Sequence, residues 1–342
     1  MLAFIARNLF LPEIFVYISI GIFTGAFFVL NLFTKDLNAG EVFSHYIRLN
    51  GDKLVWPAFI LLVAAYIRLL VFWIWAGFKG LDPAAFFSRD SMLRAIRALG
   101  ELLKNALFVG IPFLFAFYTF GLALGQLNLF NAARLQDGLL LQWDVFLTRT
   151  FPPLSLASLR YPEWFVKAVD VSFLYLPSAL AVFGAYLFQA RHKLFREAAG
   201  AFFLSAVVMF AFWIVFPVMS PHDRFIDNVY RLPTPASAQS YVDAYHPQEE
   251  IASFLQRMRE DKKGLSVFPT STFPSAHVVW AVFLMYYSWR VSRWLVFISV
   301  PFALFSSVGT VLFAQHYFVD VPAGILVSAF SIWIVRWMTR KQ

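Results

Sequence analysis

The sequence contains no cysteine. Disulfides, thiol nucleophiles and cysteine-ligated metals are thereby excluded, and no compartment is read from that absence. Charge is also scarce. Asp, Glu, Lys and Arg make up 14% of the 342 residues, where a soluble domain carries about 25%. The 20 acidic residues form no dense cluster of the kind that holds a hard cation. There is no internal repeat, low-complexity tract or linker.

Apolar residues fill the space that charge leaves. The chain is 60% hydrophobic and 19% aromatic, with a mean hydropathy of +0.66, which sets it in the membrane class before any motif is read. Its 42 Phe and 11 Trp suit lipid-facing helices and interfacial belts rather than a cofactor site. A net charge of +8 and a pI near 9.7 would suggest nucleic acid in a soluble protein. Here the positive charge falls in loops between apolar runs, so topology and anionic headgroups explain it, and no nucleic-acid partner is expected.

A bilayer core of roughly 30 Å takes about 20 apolar helical residues. That template predicts about eight spans in an all-α polytopic membrane bundle: Ile14–Phe33, Leu54–Phe78, Ala106–Leu127, Val169–Phe188, Ala199–Phe216, Phe273–Trp289, Trp294–Phe313 and Phe318–Trp337. The first run is longer than a signal-peptide core and lacks a small-x-small cleavage site, so it reads as retained. Residues 1–104 are expected to hold two spans and an interfacial helix, whose apolar spacing runs through Met92, Leu93, Ile96, Leu99 and Leu103. Residues 105–342 are expected to form a six-span catalytic core with a long loop over 217–272.

Orientation follows from the basic residues kept on the cytoplasmic side. Arg191, Lys193 and Arg196, then Arg290 and Arg293, then Arg336, Arg340 and Lys341 fall on one side when the spans are counted. Both termini are then cytoplasmic. The opposite, extracytoplasmic side receives the loops over 128–167 and 217–272 and the turn at Gln315–Tyr317. Within the second loop, Pro247–Lys263 reads as a surface helix with Ile251, Phe254, Leu255 and Met258 on one face.

The unusual polar residues sit in those loops. F-P-S-A-H, Phe273–His277, opens the sixth span, with Pro274 suited to a first helical turn and Thr272 or Ser271 to its cap. Ser275 and the free N–H groups there make a seat for phosphate, with His277 just inside. Q-H-Y-F-V-D, Gln315–Asp320, spaces His316 and Asp320 as an i, i+4 pair. The carboxylate can then hold one imidazole nitrogen and leave the other to attack, although Pro322 argues for a turn before the helix. F-P-V-M-S-P-H-D-R-F, Phe216–Phe225, supplies Arg224, followed by Arg231, and two guanidiniums can clamp phosphate oxygens.

Singly, each of these has a bland explanation: an interfacial histidine, a solvated loop arginine, a span charge such as Arg68 or Asp170 that snorkels or pairs. His222 adds little by itself. Their convergence on one face, reached from span counting alone, is what points to a site.

P-S-A-H at Pro274–His277 and H-x-x-x-D at His316–Asp320, one hairpin apart, resemble the second and third signature motifs of the type 2 phosphatidic acid phosphatase superfamily, over roughly Ala106–Trp337. The chain departs from the phosphatase pattern at Gly309 and Thr310, where the family has Ser-Arg, and at Leu232, which interrupts the Arg224-to-Pro233 version of the first motif. Both departures, and Q-W-D-V-F-L at Gln142–Leu147, resemble the inositol phosphorylceramide synthase branch.

The resemblance implies a lipid phosphotransferase or phosphatase working at the outer leaflet. In it His316, held by Asp320, attacks phosphorus to form a phosphohistidine, and His277 serves as acid and then base. Arg224, Arg231 and Ser275 would contact phosphate, with no metal and no cofactor. The partners implied are a phospholipid or polyprenyl phosphate and an alcohol acceptor. The alternative is a phosphatidate or polyprenyl diphosphate phosphatase. A lipid transporter fits less well, because no paired broken spans or intramembrane acidic chain are seen.

Overall fold

A computed structural model describes residues 13–34, 93, 100, 106–262 and 268–340. The expected second span, with Arg68, lies outside the described residues, as does the interfacial helix apart from Leu93 and Gly100.

The described residues are helical and contain no strand. The long helices are α1 (Glu13–Phe33), α2 (Ile111–Asn131), α5 (Glu163–Ala190), α6 (His192–Val215), α9 (Ala276–Val291), α10 (Val296–Leu312) and α11 (Asp320–Thr339). Six of the described helices are long and apolar enough to cross a membrane, and the chain is an integral, multi-pass helical bundle. Helix α9 has 16 residues, about 24 Å of rise, which is less than the ~30 Å bilayer core. It starts three residues later than the sequence predicts, and it packs against α5, α6, α10 and α11 rather than facing lipid throughout.

Packing follows the apolar faces. Phe23, Phe120, Phe203, Phe210, Trp213, Phe283 and Tyr287 form one core among α1, α2, α6 and α9. Leu114, Ile298, Leu326 and Trp294 stay exposed, as expected of side chains whose solvent is lipid. At one end, Arg290 donates to Glu197 at 2.9 Å, joining the first turns of α6 to the end of α9.

The other end carries a cap of short elements: α3 (Asp137–Thr148), α4 (Pro152–Ala157), a π-helical turn (His222–Ile226), α7 (Ala236–Asp243) and α8 (Glu249–Asp261). Helix α8 buries Ile251, Phe254 and Leu255 as the sequence predicts. Its Phe254 stacks on Phe313 at 3.8 Å, and its Arg257 meets Asp170 at 2.5 Å, which accounts for the acidic residue near the fourth span. This cap is where the three polar segments meet.

Candidate active site

Helix α10 ends at Leu312, and Ala314 takes a left-handed conformation, φ 49, that reverses the chain; such a backbone costs an alanine about 1 kcal/mol. The backbone N–H groups of Gln315 and His316 both donate to the Thr310 carbonyl, at 3.0 and 2.8 Å. Helix α11 begins at Asp320 with Pro322 in its first turn. His316 therefore belongs to the turn before the helix, not to a helical face.

The expected pair is nevertheless in contact. His316 Nδ1 lies 3.0 Å from Asp320 Oδ2 and 3.1 Å from the Thr272 carbonyl oxygen. Both partners are acceptors, so Nδ1 is the N–H donor and Nε2 keeps the lone pair. Burial pulls the His316 pKa down to about 4; the Thr272 carbonyl works against that fall and the positive charge of Lys262 adds to it. The imidazole is therefore neutral near pH 7.

His277 enters from α9. The cap of that helix is Ser275, whose hydroxyl accepts the Val278 N–H, not Thr272 or Ser271. Thr272 donates instead to the Val218 and Met219 carbonyls, both at 3.2 Å, and a cis Phe273–Pro274 bond precedes the helix. Pro274 is thus outside the first turn, and the Ser275 hydroxyl, fully buried, serves the helix end. The His277 and His316 rings are neighbours, with centroids 6.4 Å apart and planes tilted by 59°. Phe173 stacks on the other side of His277 at 4.2 Å with the planes 2° apart.

Two glycines permit this approach. A Cβ at Gly324 would lie 2.9 Å from the Ser275 carbonyl oxygen, and one at Gly309 would lie 3.1 Å from Phe173 Cβ. Thr310 is buried and its hydroxyl donates back to the Ser307 carbonyl at 2.6 Å.

The two expected arginines are placed differently. Arg224 is buried and donates to the carbonyls of Pro233 at 2.8 Å and Leu232 at 3.4 Å, bracing its own loop. Arg231 is exposed with φ 54. His222 is buried beside Asp227, at 3.6 Å, with Asp223 nearby. The ligand atoms of this trio lie within 4.8 Å of one another, but Lys262 sits on Asp223 and Arg259 on Asp227, so its carboxylates are already matched by cations.

The pattern of the PAP2 superfamily matches residues 140–334, more than half of the chain. The chain belongs to the PAP2 superfamily. Membership supports a phosphatase or phosphotransferase of lipid phosphoesters. No curated protein and no solved structure matches the chain.

The matched PAP2 region holds a further residue of the site that its local pattern does not mark. Asp144, in the Gln142–Leu147 segment, accepts the N–H of Phe318 on one carboxylate oxygen and that of Val319 on the other, each at 2.9 Å. It thereby caps the start of α11 and fixes the turn that carries His316. Burial pushes its pKa up to about 7, the two N–H donors oppose this, and nearby Asp320 adds to it. Asp137 plays a parallel part, accepting from Met219 N–H and from the Tyr317 hydroxyl, both at 2.9 Å. Burial raises its pKa to about 6 against those donors and the charge of Arg224. The sequence offered one signal for both: acidic residues on a short amphipathic segment next to the family's motifs.

Proposed function

We propose that this PAP2 protein transfers a phosphorylated headgroup from one membrane lipid to an alcohol acceptor through a phosphohistidine on His316, at the extracytoplasmic face. In the first step Nε2 attacks phosphorus, the bond from phosphorus to the departing lipid oxygen breaks, and His277 gives that oxygen its proton. Asp320 and the Thr272 carbonyl take up the positive charge that appears at Nδ1–H. In the second step His277 removes the proton of the acceptor hydroxyl, its oxygen attacks phosphorus, and the P–N bond breaks to return the neutral imidazole.

The observation that carries this reading is the His316 dyad, with Nδ1 committed to two acceptors and the ring centroid 6.4 Å from that of His277. Transfer rather than hydrolysis is supported by the Phe173 ring over His277, which screens one side of the base from water, and by the absence of the family's Arg at Thr310. The second reading, a phosphatidate or polyprenyl diphosphate phosphatase, differs only in that water resolves the intermediate.

Purified protein given labelled phospholipid, with and without an alcohol acceptor, separates the two. Transfer predicts labelled product only with acceptor. Release of headgroup phosphate at the same rate in both would sink it.

A further inference from the structure

A phosphoryl group in transfer carries negative charge on three equatorial oxygens, and a positioned cation must meet it. The groups expected to do so have these surroundings. Thr310 holds the Ser307 carbonyl, Arg224 holds the carbonyls of Leu232 and Pro233, and Arg231 is exposed.

Lys262 follows the last turn of α8, with its side chain only 12% exposed and Nζ 2.6 Å from Asp223 Oδ2. Asp223 is itself fixed, its N–H donating to the Ser220 hydroxyl at 3.1 Å. The adjacent His222 N–H donates to the Ala314 carbonyl at 2.9 Å, two residues before His316. A short, hydrogen-bonded path thus ties the ammonium group to the turn that bears the nucleophile. An ammonium has three N–H donors, of which Asp223 takes one. Lys262 also lines a cavity of about 710 Å³ in the cap, and its charge reaches the His316 ring.

We propose that Lys262, aimed by Asp223, is a cation that binds the phosphate of the lipid substrate. The inference rests on the phosphohistidine reading and adds the group that holds the phosphate before and during attack. Lysine acts here as a point charge, where an arginine would have bound bidentately.

The test is binding of inorganic phosphate to the purified full-length protein by titration calorimetry, followed by its displacement with phosphatidate in detergent micelles. Lys262→Gln, which keeps a hydrogen bond to Asp223 but loses the charge, should weaken phosphate binding tenfold or more. Lys262→Arg should restore it to within about threefold, since the charge is retained. Asp223→Asn should weaken it by about three- to tenfold, because the charge remains but its aim is lost.

Lys262→Gln or Asp223→Asn binding as tightly as the wild type overturns the assignment while leaving the proposed activity standing. Phosphate that binds wild type but is not displaced by the lipid overturns it too. A wild type that binds no phosphate overturns both readings.

Discussion

Asp144 and the turn at Phe318–Val319 lie more than 170 positions apart, yet one carboxylate receives both backbone N–H groups at 2.9 Å. A buried N–H left without its acceptor costs about 1–3 kcal/mol. Asp144→Ala leaves both N–H groups at the start of α11 without their acceptor and frees the turn that carries His316. Turnover should fall ten- to a hundredfold, as misplacement of a catalytic group by about 1 Å does. Thermal unfolding in detergent should shift down by several degrees, about 2–4 kcal/mol of stability. Unchanged kcat with an unchanged midpoint would remove Asp144 from the site.

The three residues of the proposed chemistry should fail in different ways. His316→Ala removes the attacking nitrogen, so no acid-labile phosphoenzyme should form with labelled lipid. His277→Ala leaves the nucleophile but takes away the proton donor, and phosphoenzyme should form about 10²–10⁴ times more slowly. Asp320→Asn is milder than the loss of about 10⁴ seen when a single carboxylate sets a histidine's tautomer. The Thr272 carbonyl, 3.1 Å from the same Nδ1, still dictates which nitrogen is protonated, so a drop of about ten- to a hundredfold is expected. Rapid-quench labelling distinguishes the three.

The segments that carry His277, His316 and Asp320 are legible in the sequence because their spacing is local. Phe273–His277 and His316–Asp320 are short patterns beside apolar runs, and a period of about 20 apolar residues fixes where each must emerge. The helix of the long loop was equally visible, since Ile251, Phe254 and Leu255 repeat on one face. What stayed hidden is contact made across the chain. Asp144 and Asp137 look like ordinary charges of an amphipathic segment until α3 folds beneath the turn at His316. Arg224 also gives two guanidinium N–H groups to carbonyls of its own loop, contacts that composition does not reveal. The cap of α9 moved from Thr272 to Ser275 for the same reason: the bridge between Val218 and Ser271 engages Thr272 first.

The depressed pKa of His316 sets a pH dependence. A free imidazole protonates near 6.5, whereas burial holds that of His316 at about 4, so the neutral nucleophile persists through pH 5. The acid limb of kcat/KM arising from His316 should lie near 4. The sign for stability follows: between about 4 and 6.5 the unfolded chain binds a proton that the folded chain does not, so stability falls as pH falls through that window. Lys262→Gln removes a charge that opposes protonation and should move the acid limb upward. Phosphoenzyme formation measured from pH 3.5 to 8 checks both, and an acid limb at 6.5 in the wild type would contradict the buried dyad.

The close approach of α11 to α9 is what brings Asp320 and His316 near His277, and Gly324 makes it possible. An alanine there would put Cβ 2.9 Å from the Ser275 carbonyl oxygen and 3.0 Å from Val278 Cβ. Neither is the end of a flexible side chain, so the helices themselves must part, at about 1–3 kcal/mol. Gly324→Ala should lower the unfolding midpoint and reduce kcat severalfold or more while KM changes less, because the distance between the two histidines lengthens and the lipid-facing surface is untouched. Gly184→Ala is the matched control: it lies within α5, where an added Cβ meets nothing within 4 Å, and it should leave activity unchanged and raise stability by about 0.5–1 kcal/mol. Equal behaviour of the two variants in a melting and turnover comparison would show that helix separation does not govern the site. A loss confined to Gly324→Ala ties catalysis to the spacing between α9 and α11.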